Sequence, residues 1–241
     1  MRTLVVGATG NTGQPLVEQL LDKGQQVRII VRSTKKLKPI VLEHPNLEII
    51  EASVLNLTDN ELAIYVADCS SVASCLGHEP NFKGIFGEPR KLCTDATRRL
   101  CQAIEHNDAA LPTKFILMNT VGVSNPDLGE TRSVFERTIL YVLRHTIPAH
   151  RDNETALEYL HKTVGKENNH IHWCSVRPDS LINAKESLYK IGNSPVSGLF
   201  SGLPTTRANV ARFMTELITN EQIWNTWKFK MPVITNSNTG A

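Results

Sequence analysis

A chain of 241 residues with 41% hydrophobic content can bury one substantial core, and no shift in composition divides it into halves that would each fold alone, so a single domain over 1–241 is expected. The formal charge of +2 and the lack of long Lys/Arg runs argue against binding to nucleic acid or a membrane surface through bulk electrostatics. With no charged leader and no stretch near the roughly 18 apolar residues of a membrane span, the sequence reads as a cytoplasmic protein, monomer or homodimer, acting on a small molecule.

In chain order, Arg2–Val6 is a short β-branched run that ends at glycine. Residues 12–23 then carry Leu16, Val17, Leu20 and Leu21 at helical spacing. Gly24 stops that helix, and Gln26–Val31 supplies a second strand, which completes one mononucleotide-binding half. A weaker connection over 37–44 leads to a strand at 47–51, a short helix at 59–66 and a strand at 69–75. A long helix follows over 88–105, and then a strand over 114–118. Strands alternating with helices predict a doubly wound α/β fold, a parallel sheet within three α/β/α layers, because parallel pairing needs a long crossover.

After Asn119 the rhythm changes, with two successive helices at 130–145 and 152–164 before a strand at 171–176. The first has a wide apolar face of Val134, Phe135, Ile139, Leu140, Val142 and Leu143 opposite Arg137 and Arg144; packing against the domain is the leading reading, a dimer face the other. Residues 183–206, rich in Ser, Gly, Asn and Pro, read as irregular, followed by a helix at 209–219 and a last strand at 227–231. Segments 120–155 and 179–206 are expected to shape the substrate side. Five cysteines without a C-x-x-C pair read as reduced, small buried residues.

The chemistry concentrates in Gly7-Ala8-Thr9-Gly10-Asn11-Thr12-Gly13, between the first strand and the first helix. Glycines at intervals of three allow positive φ, let a diphosphate approach the backbone, and let helix pack closely on strand. The N–H groups of the first helical turn then meet the phosphates. The second strand ends in Val31-Arg32-Ser33-Thr34-Lys35-Lys36 without a carboxylate. An acid there would bond a ribose 2′-hydroxyl, whereas Arg32, Ser33 and Lys36 suit a 2′-phosphate, so NADP(H) is preferred over NAD(H). The alternative is a solvated basic turn.

Together with Val31-Arg32-Ser33, Ser74-Cys75-Leu76-Gly77 and Ser175-Val176-Arg177-Pro178-Asp179, this turn resembles the atypical short-chain dehydrogenase/reductases. The nearest resemblance is to NmrA-like and biliverdin-IXβ/flavin-reductase-like members, which often carry a pattern like Arg207-Ala208-Asn209-Val210-Ala211-Arg212. It implies that Thr9, Gly10, Asn11 and Thr12 hold the pyrophosphate and Arg32 and Ser33 the 2′-phosphate. Ser53 and Val54 would lie beside adenine and Ala73, Ser74, Cys75 and Leu76 along the ribose, with Asn119 and Pro178 completing the cofactor set. At Ser53 many members have Asp, so the adenine contact is weaker or remade.

The Tyr-x-x-x-Lys pair of typical members is missing, because Cys69, His145, Thr163 and Asn193 stand four residues after Tyr65, Tyr141, Tyr159 and Tyr189. Thr120, at the end of the fifth strand, is a candidate to orient a substrate oxygen, or else a residue satisfying local backbone groups. His150 is a candidate acid, or else a plain loop histidine, with Asp152 an ordinary helix N-cap. His170 and His172 share a strand face without a third ligand, so no metal site is expected. The sequence therefore points to an NADPH-dependent reductase of a small flat acceptor such as a flavin or quinone. A non-catalytic NADP(H) sensor of NmrA type is the alternative, and an extended-class epimerase or dehydratase a weaker third.

Overall fold

The computed structural model of the chain describes residues 1–79, 81–130, 133–195 and 203–237. The elements run β1 (Arg2–Val6), α1 (Gly13–Asp22), β2 (Gln26–Val31), α2 (Pro39–Leu42), β3 (Leu47–Glu51), α3 (Asp59–Val66), β4 (Ser71–Ser74), α4 (Phe82–Phe86), α5 (Leu92–His106) and β5 (Thr113–Met118). They continue with α6 (Val134–Thr146), α7 (Pro148–Glu158), a π-helical turn (Tyr159–Val164), β6 (Ile171–Pro178), β7 (Ser180–Ile182), β8 (Tyr189–Gly192), β9 (Pro204–Thr206), α8 (Arg207–Thr219), α9 (Glu221–Trp227) and β10 (Val233–Asn236).

Eight strands form one sheet in the order β3-β2-β1-β4-β5-β6-β10-β8, while β7 and β9 pair separately. Every neighbour pair in the large sheet is parallel except β10 with the edge strand β8. The central strand β1 explains the layering: Leu4, Val5 and Val6 are fully buried, so both sheet faces need cover. Val6 and Leu4 pack with α3, α5 and α7 residues such as Leu62, Leu100 and Leu157, and Val5 packs with Leu16 and Leu20 of α1 and Phe213 and Leu217 of α8. The fold is thus the expected three-layer Rossmann-like sandwich. Chain order reverses between β1 and β4, which opens a crevice at their carboxyl ends where ligands bind in such sheets. Among the described residues no helix is long and apolar enough to cross a membrane.

Helix starts follow local chemistry. Thr58 with Glu61 and Ser133 with Glu136 form capping boxes on α3 and α6, and Asn220 accepts from the Gln222 and Ile223 N–H groups at the start of α9.

Four expectations change. The strand expected at 227–231 is instead the end of α9 and a turn through left-handed Phe229 (φ +61), with the true strand at Val233–Asn236. Alternating Trp227, Phe229 and Met231 mimic a strand, yet Trp227 meets Phe213 edge-on while Phe229 packs toward His172 and Trp173 in the opposite layer. Segment 183–206 is not wholly irregular, because Tyr189–Gly192 pairs with β10 and Pro204–Thr206 with β7; 196–202 lie outside the described residues. The apolar face of α6 is only partly covered: Ile139, Leu140 and Leu143 are half-buried, no residue of α6 is fully buried, and Val134, Phe135, Tyr141 and Val142 are exposed. Finally, α7 begins at Pro148, a residue pre-shaped for a first helical turn, so His150 and Asp152 are helical and Asp152 caps a different helix.

Candidate functional site

Gly7 leaves β1 with φ +75, and a side chain there has no room: a Cβ would stand 2.5 Å from the carbonyl carbon of Cys75 and 2.7 Å from the nitrogen of Leu76, across the end of β4. A Cβ on Gly13 would collide with the Gly7 carbonyl. The Gly10 N–H donates to that carbonyl at 3.0 Å and closes the turn. Thr12 occupies the N-cap of α1 but makes no side-chain cap bond, so an anion can meet the donors at the start of the helix.

A cleft of about 200 Å³ opens over this turn. Gly7, Thr9 and Gly10 line it together with Arg32, Lys36, Ser53, Val54, Cys75 and Leu76, from the ends of four adjacent strands. Ile30, Val31, Ala52, Leu55, Gly77, Glu79, Pro89 and Leu92 also line it. These were missed because apolar strand ends and loop residues carry no spacing signal of their own. Lys36 Nζ lies 3.9 Å from Glu79 Oε1, a weak exposed pair that sets one acid beside the basic end.

Several expected cofactor residues stand elsewhere. Ala73 and Ser74 are fully buried inside β4, the Ser74 hydroxyl without a hydrogen-bond partner, so neither borders the cleft. Thr12 and Gly13 are buried, and with exposed Asn11 and half-buried Ser33 they lie outside the lining. Asn119 is committed to structure: its side chain accepts from the Thr120 N–H at 2.9 Å and donates to the Asn153 carbonyl at 3.0 Å, tying β5 to α7. Pro178 is buried at the end of β6, its carbonyl accepting from the Val121 N–H.

Thr120 and His150 do converge. A Cβ on Gly122 would lie 3.3 Å from His150 Cε1 and 3.6 Å from Thr120 Oγ1, so the three meet beyond the carboxyl end of β5. Thr120 Oγ1 accepts from the Gly122 N–H at 3.2 Å, which satisfies the turn and leaves the hydroxyl proton available. His150 Nε2 is buried without a hydrogen bond, 3.5 Å from Glu154 Oε1. Neither residue lines the dinucleotide-shaped cleft itself.

No tyrosine substitutes for the missing pair. Tyr65 lies on α3 and Tyr141 is exposed on α6. Tyr159 sits in the π-helical turn, where burial pushes its phenol up to about 12, and the Tyr189 hydroxyl donates to Glu216.

Two constellations support the site without a sequence signal. Arg177 is fully buried at the end of β6, donating to the carbonyls of Met231, Val123 and Asn193 and pairing with Glu130 at 2.8 Å, which pins the loop after β5 to the sheet. Asp152 accepts from the Cys93 N–H (2.7 Å) and Thr94 N–H (2.9 Å) at the start of α5 and contacts His78 Nε2 at 2.8 Å. Burial opposes its charge, but these bonds outweigh it and hold the carboxyl below the usual range. His78, Cys93 and Asp152 have donor atoms within 4.8 Å of one another, spacing compatible with a metal. The carboxylate is already committed to three donors, however, and burial pushes the Cys93 thiol well up, away from the thiolate a metal needs. The cluster is a hydrogen-bonded clamp between α5, α7 and the segment after β4. All five cysteines are buried, with Cys69 pushed up to about 11 and Cys75 to about 12 by burial.

The sequence profile of the NAD(P)H-binding family matches residues 7–221, from the glycine turn through the last helices. The chain belongs to this NAD(P)H-binding family. The chain is 32% identical over 129 residues to an uncharacterised chloroplastic protein of Arabidopsis thaliana, a match covering 54% of this chain and 44% of that one, so the chain spans less than half the length of that relative. Among solved structures, an oxidoreductase from Lactococcus lactis superposes with a TM-score of 0.71 at 18% identity, covering 100% of this chain and 93% of its own. A short-chain dehydrogenase/reductase from Veillonella parvula in complex with NADP gives 0.69 at 17% identity, covering 100% and 96%. An anaerobillin reductase from Escherichia coli O157:H7 gives 0.68 at 14% identity, covering both chains fully. At these identities the NAD(P)H-binding chain shares their Rossmann-like fold.

Proposed function

We propose that the chain is an NADPH-dependent reductase whose dinucleotide lies along the cleft over the glycine turn and whose substrate is a small flat acceptor such as a flavin or quinone. One observation carries this reading: Cβ atoms at Gly7 and Gly13 would strike the backbone of Cys75, Leu76 and Gly7 itself, so only glycine lets strand, turn and helix close this tightly, and Gly10 of that turn lines one cleft with Arg32 and Lys36. The residues present fit the group. Main-chain N–H groups at the start of α1, with Thr9 and Gly10, would hold the diphosphate, Arg32 and Lys36 the 2′-phosphate, and Ser53, Val54 and Leu55 the adenine. When bound, reduced nicotinamide supplies a hydride. The chain's own contribution is orientation and proton supply: Thr120 donates its free hydroxyl proton to an acceptor atom, and His150 presents its Cε1–Nδ1 edge beside it at Gly122. An acceptor that is easily reduced needs little more, which agrees with the missing Tyr-x-x-x-Lys pair. The complexed Veillonella neighbour supports NADP, and the anaerobillin reductase supports a flat acceptor.

The test is NADPH oxidation by purified protein across flavins, quinones and carbonyls. Turnover above the blank with a flavin or quinone, reduced in a Thr120→Val variant, supports the reading; tight NADPH binding with no turnover on any acceptor defeats it. That second outcome favours a non-catalytic NADP(H) sensor, a reading to which the remote tyrosines and the engaged Thr120 oxygen lend weight.

A further inference from the structure

A second cavity, of about 410 Å³, lies between the first turns of α5, the last turn of α6 and α7. None of its lining residues borders the dinucleotide cleft; the two share only chain neighbours, Pro89 beside Arg90 and Leu92 beside Lys91. Arg90, Lys91 and Arg98 enter it from the α5 side, Arg144 and His145 from α6, and Arg151 from α7. The acid lining it is Asp152, whose carboxylate is already committed to His78, Cys93 and Thr94.

Acids outside the cavity answer part of this charge. Arg144 meets Glu154 at 3.1 Å, Arg90 meets Glu88 at 3.5 Å, and Arg98 stands 4.0 Å from Asp95. Among the described residues, Lys91 and Arg151 have no acidic partner. Five permanent cations line one concavity and three of them are answered by acids outside it, so the charge left over is that of exposed Lys91 and Arg151. A single negative charge would answer one of the two. The Arg151 guanidinium and the Lys91 ammonium on one concavity, with the paired Arg90, Arg98 and Arg144 around them, match the oxygens of a multiply charged phosphate.

We propose that this cavity binds a small, multiply charged phosphate anion at a site separate from the dinucleotide cleft. The probe is inorganic pyrophosphate, titrated calorimetrically at fixed ionic strength without dinucleotide, against wild type and two double variants. K91Q/R151Q removes the two unpaired cations and breaks no ion pair; R32Q/K36Q neutralises the basic end of the cleft. Saturable uptake by wild type, weakened at least about tenfold in K91Q/R151Q, kept within about twofold in R32Q/K36Q, and retained in the charge-conserving K91R/R151K, is the expected result. No saturable uptake by wild type, undiminished uptake in K91Q/R151Q, or loss in R32Q/K36Q instead overturns it. Because no dinucleotide is present and turnover is not read, failure here is distinct from failure of the reductase reading.

Discussion

Arg32 and Lys36 are the side chains on which cofactor preference turns. Each charge-assisted bond to a 2′-phosphate contributes about 1.5–3 kcal/mol, so R32Q/K36Q is expected to weaken NADPH binding by about two to four orders of magnitude while changing NADH binding less than about threefold. Fluorescence titration of both nucleotides measures this, and equal losses for the two would remove the 2′-phosphate assignment. Asp152 is a structural counterpart. Its carboxyl is held below the usual carboxylate range in the folded chain, so its stabilising contribution is complete above the unfolded value near 3.9 and disappears as pH falls through the depressed folded value. Asp152→Asn is expected to cost about 1–3 kcal/mol at neutral pH and to flatten the acid limb of the stability curve. Chemical denaturation at pH 7 and at pH 3 to 4 reads both effects, and a variant that keeps the wild-type acid limb contradicts the clamp.

At the scale of elements, the loop after β5 is fixed by Arg177, whose charge is buried among three carbonyls and Glu130. Arg177→Met strands Glu130 and three acceptors in a dry environment and is expected to destabilise the fold by about 3–5 kcal/mol, read as a lowered denaturation midpoint. A change below about 1 kcal/mol would mean the loop is held by other contacts. What the sequence revealed divides along the same lines. Local signals worked: the glycine turn, the alternation of β1 to β5, and the helical face of Leu16, Val17, Leu20 and Leu21 all reappear, because each is dictated by neighbouring residues. Long-range signals failed. Nothing local to Asp152 announces that it caps α5, nothing near Tyr189 predicts antiparallel pairing with β10, and Trp227 to Met231 alternate like a strand although their rings pack into two different layers. That Ala73 and Ser74 are buried could not be read locally, because a strand interior and a strand end look alike in sequence, and only the register of β4 with β1 and β5 decides which is buried.

For the whole molecule, a ligand that binds only the folded chain must stabilise it by mass action. NADPH at about 100 times its dissociation constant is expected to add about 2.7 kcal/mol, with a concentration-dependent rise in Tm. The five thiols are buried, with Cys69 and Cys75 pushed up by burial to about 11 and 12, so a thiol reagent at pH 8 should modify none of them until the chain unfolds. Fast labelling of the native protein would contradict the core described for both faces of the sheet. The most direct measurement is a crystal structure of the chain with NADP. The account predicts the diphosphate against the main chain of Gly10 to Gly13 and the 2′-phosphate between Arg32 and Lys36, whereas a dinucleotide seated anywhere else, or none at saturating concentration, would contradict it.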